Sequence, residues 1–181
     1  MSAAKEFLET AIRRLKYYKE LGDKTFTQLN DWDFHYQANE EANSIAIIIR
    51  HMSGNMLSRW TNFLTEDGEK EWRQRDEEFA VVEETKQHLI ERWEKGWDCF
   101  LTTLASLKKK DLKKTVTIRQ EPLTVIDAIN RQLAHYPYHI GQIVHTAKII
   151  KGKNWKTLSI PRGGSDAYNQ SDDLKDPSKK F

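Results

Sequence analysis

The stretch from Pro122 to Ile150, PLTVIDAINRQLAHYPYHIGQIVHTAKII, decides the reading of this chain. Ile126, Ile129, Leu133, Tyr136, Ile140, Ile143, Ala147 and Ile150 follow one another at separations of 3, 4, 3, 4, 3, 4 and 3. That alternation keeps apolar side chains on one stripe of an α-helix and is the seam of a helix bundle. Pro122 suits a first helical position and Gly152 a stop, so the spacing predicts a helix from about 122 to 150.

Working outward, three more segments of about 20 residues carry the same period. Ala3 to Leu21 places Phe7, Leu8, Ala11, Leu15 and Tyr18 on one side, with Gly22-Asp23 read as its end and a short helical turn at Thr25 to Leu29. Asn43 to Phe63 opens with Asn43 or Ser44 as cap and carries Ile45, Ile48, Ile49, Met52, Met56, Trp60 and Phe63. Glu84 to Leu107 carries Leu89, Ile90, Trp93, Trp97, Phe100, Leu101, Leu104 and Leu107. The reading is an all-α protein. Residues 64–83 are long enough, at ~3.3 Å per residue, to cross back along a 30 Å helix, with Trp72 and Phe79 as anchors. Thr115 to Ile118 reads as a short extended piece, and the polar tail is expected to fray after about Gln170.

Composition bounds the function. With 181 residues, 38% of them hydrophobic, and six Trp, the chain closes one core without staples, and its single cysteine, Cys99, excludes an internal disulfide or a multi-cysteine zinc site. The 29 basic and 27 acidic residues leave a net charge of +2, which gives no strong field toward nucleic acid or anionic lipid, although charge can still be local. The lysines at 108, 109, 110, 113 and 114 lack interleaved aromatics and read as a solvated loop at a helix end. No run approaches the ~18 uncharged apolar residues of a membrane span, and the charged start argues against a secretory signal, so a cytoplasmic location is expected.

The histidines carry the chemistry. His135 and His139, four apart, stack on the shoulder of the isoleucine seam, and His51 lies within the apolar arc of its own helix. His145 and His88 fall on wet faces, and His35 lies in a connection. Two such histidines alone are more often structural. Three neutral imidazoles converging from two helices match a tri-histidine site with an open position, which suits Zn or Ni, and also Fe or Cu. Pro137 sits between the pair and removes a backbone donor, which reads either as a tolerated kink in a long helix or as a kink that aims both rings at one point. Asn55, Gln132 and Gln142 lie within a turn as partners for the rings. Arg59 falls on the apolar arc, a paired structural arginine or a binder of a substrate anion. With Arg131, Tyr138 and an aromatic wall from Trp60, Tyr136 and Trp155, it makes up the candidate substrate contacts.

His51, with its neighbours Ile49-Arg50 and Met52, and the run His135-Tyr136-Pro137-Tyr138-His139-Ile140-Gly141-Gln142 together resemble the DinB/YfiT-like superfamily of four-helix-bundle metalloproteins. The runs from Arg59 to Thr65, Trp72 to Phe79 and Ser159 to Gly163, with Tyr168-Asn169, are similar to a bacterial group of uncharacterised function. The resemblance implies one domain over residues 1–170 with a polar tail at 171–181. It also implies an up-down-down-up four-helix bundle with a long crossover between the second and third helices, a divalent metal on His51, His135 and His139, and a homodimer. Some members of the superfamily transfer a low-molecular-weight thiol such as bacillithiol. The expected function is therefore a metal-dependent enzyme activating a thiol or water on a small-molecule substrate, without nucleic acid or membrane as partner. The alternative is a non-catalytic metal-binding, stress-response bundle.

Overall fold

The computed structural model describes residues 2–181. Four long helices dominate: α1 (Ala3–Phe26), α2 (Ile45–Trp60), α3 (Lys86–Ser106) and α4 (Val125–Lys151). A two-stranded hairpin, β1 (Thr115–Ile118) and β2 (Glu121–Thr124), precedes α4, and a six-residue helix, α5 (Ser165–Gln170), lies near the end. The chain is all-α apart from that hairpin.

Helix starts follow side-chain chemistry. The hydroxyls of Ser44, Thr85 and Thr124 accept from the backbone N–H groups of Ile47, His88 and Asp127, capping α2, α3 and α4. The cap of α4 corrects the expected start: Pro122 is in β2, paired with Thr117, and the helix opens at Val125. The helix α2 stops at Trp60 rather than Phe63, because Asn62 takes a left-handed conformation (φ 50°) just beyond its end. On α4 the seam residues Ile129, Tyr136, Ile140, Ile143 and Ala147 are buried and Leu133 half-buried, but Ile126 is exposed.

The expected end of α1 at Gly22 is also corrected. The helix runs four residues further, because Gly22 serves packing rather than termination: a Cβ there would lie 2.5 Å from Cζ2 of Trp93. Trp93 is fixed in turn by donating its indole N–H to Asp23 at 2.7 Å. Gly96 does the same for α3, where a Cβ would stand 2.9 Å from the Cα of Ser53 on α2.

The helices α2 and α3 pack along their length, as do α1 and α4, and contacts of α1 with α3 and of α2 with α4 join the two pairs. Thr103 Oγ1 donates to the Trp60 carbonyl and Ser53 Oγ to that of Arg92, so α2 and α3 run parallel. Between them lies an aromatic core in which Phe100 is 4.6 Å from Trp60 and 5.0 Å from Tyr136, ring centre to ring centre. The Tyr136 hydroxyl accepts from Trp60 Nε1 at 3.2 Å and donates to Asn55 Oδ1 at 3.1 Å, which satisfies both of those polar tips, while the buried indole N–H of Trp97 in the same core has no partner.

Residues 64–83 do form the long connection, but of its two expected anchors only Phe79 packs, while Trp72 is 58% exposed. The tail does not fray after Gln170. Ser178 is fully buried, Asp176 meets Arg14, and Lys180 meets Glu20 on α1.

Gly96→Ala sets a helix-propensity gain of about 1 kcal/mol against a backbone clash worth about 1–3 kcal/mol. The clash is expected to win, lowering the urea midpoint. Gly141, on the exposed face of α4 with nothing within 4 Å of where a Cβ would stand, is the counter-case: Gly141→Ala should raise stability by about 0.5–1 kcal/mol in the same titration.

Candidate metal centre

His51 is on α2 and His135 and His139 are one turn apart on α4, so the facing of these two helices brings the three rings together. One ring nitrogen from each lies within 4.8 Å of the others. The Nε2 atoms of His51 and His135 are 3.4 Å apart, and those of His139 and His135 are 3.0 Å apart. For comparison, a metal–nitrogen bond of ~2.1 Å in tetrahedral geometry places neighbouring ligand nitrogens about 3.4 Å apart.

The outer nitrogens fix the tautomers. His51 Nδ1 donates to Glu78 Oε2 at 3.0 Å, His139 Nδ1 to Gln142 Oε1 at 2.7 Å, and His135 Nδ1 to Gln132 Oε1 at 3.3 Å. Gln142 spends its own Nε2 on the Tyr138 hydroxyl at 3.1 Å, which leaves its oxygen for His139. With a proton on every Nδ1, each Nε2 presents a lone pair, and three lone pairs converge with no hydrogen between them. Such an arrangement repels itself unless a cation sits at the point of convergence. The residues therefore fit a divalent metal ion with imidazole ligands and can hold one.

Electrostatics agree with this protonation. Burial, then the neighbouring His139 and His51 rings with Arg131 and Arg59, lowers His135 from its usual 6.5 to about 3. Burial also lowers His139, against the Gln142 bond, which favours its charged form.

Glu78 is the residue the sequence reading missed. It sits in the crossover, 27 positions from His51, and no local spacing links the two. Its place is made by several contacts. Arg50 bonds the carbonyls of Ala80 and Glu77, pinning the turn Asp76–Phe79 to α2. Phe79 lies 4.9 Å from the His51 ring. Gly54 leaves the space, since a Cβ there would meet Glu78 Oε1 at 2.2 Å. Arg73 then grips the carboxylate through Nε at 2.8 Å and Nη2 at 2.9 Å. Burial alone would raise the Glu78 pKa, but the bonds from His51 and Arg73 hold it below the usual carboxylate range.

Of the other expected contacts, Arg59, Arg131, Asn55 and Gln132 line a cavity of about 290 Å³ that opens beside His51 and His135. Gln132 and Gln142 orient rings as expected, whereas Asn55 serves the Tyr136 hydroxyl and not a histidine. Trp60 and Tyr136 are buried in the aromatic core and do not line this cavity, and Trp155 is half-buried beyond the end of α4. Tyr138 is exposed, beside His139. Arg59 is paired, bonding Glu69 at 2.7 Å and the Gly68 carbonyl at 2.6 Å. His88 pairs with Glu84 on the surface, and His145 is exposed. A larger cavity of about 870 Å³ lies between α1 and the C-terminal segment, with no histidine in its lining.

The lowered pKa of His135 has a consequence for the metal-free protein. Between pH 6.5 and about 3 the unfolded chain binds a proton at this residue that the folded chain does not, so this contribution to stability falls as the pH drops through that window. Thermal denaturation of chelator-treated protein from pH 7.5 to 4.5 should show it. His135→Gln should flatten the dependence relative to the unsubstituted protein.

Comparison with known proteins places the chain without assigning a reaction. No curated protein and no solved structure matches it. A family model described as "Protein of unknown function (DUF1572)" matches residues 2–164, nearly the whole chain. The chain belongs to that DinB-like family.

Proposed function

We propose that this protein is a metal-dependent enzyme whose three histidines, His51, His135 and His139, hold one divalent ion, Zn or Ni in preference to Fe or Cu, for use on a low-molecular-weight thiol or on water. The observation that carries the reading is the convergence of three Nε2 lone pairs, each ring oriented by an oxygen acceptor on its Nδ1, beside an open cavity. Such an ion supplies Lewis acidity, lowering the pKa of a thiol or water that takes its free position. The chain's own part is orientation and exclusion. Glu78 holds the His51 tautomer, Gln132 and Gln142 hold the other two, and Arg73 fixes Glu78.

No carboxylate lines the cavity, and both nearby ones, Glu69 and Glu78, are tied up by arginines. The site thus offers no free general base among the described residues. That favours a nucleophile made ready by the cation over one needing a protein base, and a thiol, with its lower intrinsic pKa, over water. The resemblance to the DinB/YfiT-like superfamily then supplies the rest of the reading, an S-transferase-like reaction with a thiol of the bacillithiol kind in a cytoplasmic homodimer. The helices α1 and α4 are parallel, since Gln28 just past α1 bonds the backbone of Lys156 just past α4, and this pair, with the parallel pair α2/α3 and the long crossover, supports reading the fold as an up-down-down-up four-helix bundle. The same lack of an acid or base is what favours the second reading, a non-catalytic metal-binding bundle.

Purified protein is expected to hold about one divalent ion per chain by elemental analysis. His51→Ala, His135→Ala and His139→Ala should each reduce it, and His88→Ala and His145→Ala should not. Glu78→Gln should weaken metal affinity by about 10–100-fold, since it removes the charge behind His51. Full retention by the three alanine variants would remove the site. Chelation should lower the melting temperature without abolishing helical circular dichroism. Conjugation of thiols with monobromobimane, compared with the His135→Ala background, separates the enzyme from the non-catalytic bundle: a rate above background supports the first, and none with any thiol leaves the second.

A further inference from the structure

The cavity beside the histidines is lined by nine residues, five of them arginines: Arg59, Arg73, Arg75, Arg119 and Arg131. Their carboxylate partners are fewer. Glu69 Oε2 is shared by Arg59 at 2.7 Å, Arg119 at 3.2 Å and Arg73 at 3.5 Å. Glu78 is divided between Arg73 and His51. Asp76 touches Arg75 at 3.5 Å, but its side chain is fully exposed and it does not line the cavity. Arg131 has no carboxylate partner among the described residues. Five guanidinium groups thus have three carboxylate partners, so positive charge is in excess before any metal adds its own, offset in part by Asp67, which accepts from the Arg119 backbone.

The buried pair Arg59 and Arg73 is accounted for by the crossover that it anchors. Arg75, Arg119 and Arg131 are solvent-exposed; Arg75 lies over the Phe79 ring at 4.9 Å and Arg119 reaches Glu69, whereas Arg131 meets no carboxylate among the described residues. They are also mounted separately, on the crossover turn, the hairpin and α4. The hairpin goes to some cost to present Arg119. Arg119 and Gln120 adopt left-handed φ values of 56° and 66°, a conformation that residues other than glycine rarely take. Asp67 offsets that strain by accepting both backbone N–H groups, at 2.9 and 2.8 Å. Although burial would raise the Asp67 pKa, bonds from the Glu69, Gln120 and Arg119 backbone hold it well below the usual range, so the clamp is charged at any working pH.

We infer that this cavity receives a small dicarboxylate, or the dicarboxylate portion of a small substrate, with Arg75, Arg119 and Arg131 as its anchoring residues. Guanidinium forks on three elements match two separated carboxylates better than one compact anion, and 290 Å³ suits a small molecule. The inference deepens the proposed function, resting on it for the role of the ligand as substrate. Binding at the arginines stands independently of the metal.

The test is calorimetric titration of chelator-treated protein at low ionic strength with succinate, inorganic phosphate and acetate. Succinate is expected to bind saturably and at least about 10-fold more tightly than acetate or phosphate, with affinity falling as salt is raised. Arg131→Gln and Arg75→Gln should each weaken succinate about 10-fold, the scale of one lost charged hydrogen bond, while Lys108→Gln leaves it unchanged. Because both arginines are exposed, unchanged melting curves will show that the variants fold. Mercaptosuccinate added to cobalt-substituted protein should give a thiolate-to-cobalt absorption band that Arg131→Gln shifts to higher ligand concentration. Absence of saturable succinate binding, or binding indifferent to both arginine variants, overturns the inference; phosphate binding more tightly than succinate overturns the dicarboxylate assignment. Succinate binding in a protein that takes up no metal would sink the metal reading alone, and metal uptake without succinate binding would sink this one alone.

Discussion

The Glu78 carboxylate, held between His51 and Arg73, connects nearly every feature of the site. Buried carboxylates are costly unless every lone pair finds a donor, and here the donors come from two different parts of the chain. Satisfying them requires the crossover to lie against α2, which Arg50 secures from the helix side and Gly54 permits by having no side chain. The same closure fixes the His51 tautomer and carries Arg73 and Arg75 to the cavity rim. One buried charge thus ties the path of the long connection to the protonation state of a ring.

The helices beneath supply rigidity at short range. Gly22 and Gly96 let α1 approach Trp93 and α3 approach α2, and the aromatic core fills the space between, with the Tyr136 hydroxyl and the Trp60 and Trp93 indoles paired. Since interiors packed this tightly resist displacement, the separation of α2 from α4, and with it the spacing of the three imidazoles, is set by the core and not by the site. The three rings are therefore gathered by the packing of the helices alone.

Charge is arranged in two tiers. Three imidazoles and the ion pairs Arg73–Glu78 and Arg59–Glu69 make the inner tier, whose burial lowers His135 and so keeps it a lone-pair donor at neutral pH. Around it stands the outer tier of exposed arginines, which outnumber the carboxylates that pair with them. Net charge over the whole chain, at +2, gives no hint of this concentration. The field is local, and a cavity focuses it.

The periodicity of Ile129, Leu133, Tyr136, Ile140, Ile143 and Ala147 determined that residues around them form a helix with one buried face, and the histidines at 51, 135 and 139 were legible because a helix converts spacing into facing. Residues one turn apart must share a side, whatever the fold. Helix ends were less legible: Gly22 looked like a stop because sequence shows a glycine's freedom but not the tryptophan that needs its space, and Pro122 looked like a start because its strand pairing lies in a hairpin of only four residues per strand. Trp60 and Tyr136 were misplaced for a similar reason, since an aromatic ring one turn from a ligand faces the core or the cavity according to a rotation that only packing fixes. Glu78, Arg73, Arg75 and Arg119 could not be read from spacing, because they come from a connection and a hairpin whose geometry follows no period. Their meeting with His51 and Arg131 is a long-range event, decided by where a crossover and a turn come to rest on helices already packed.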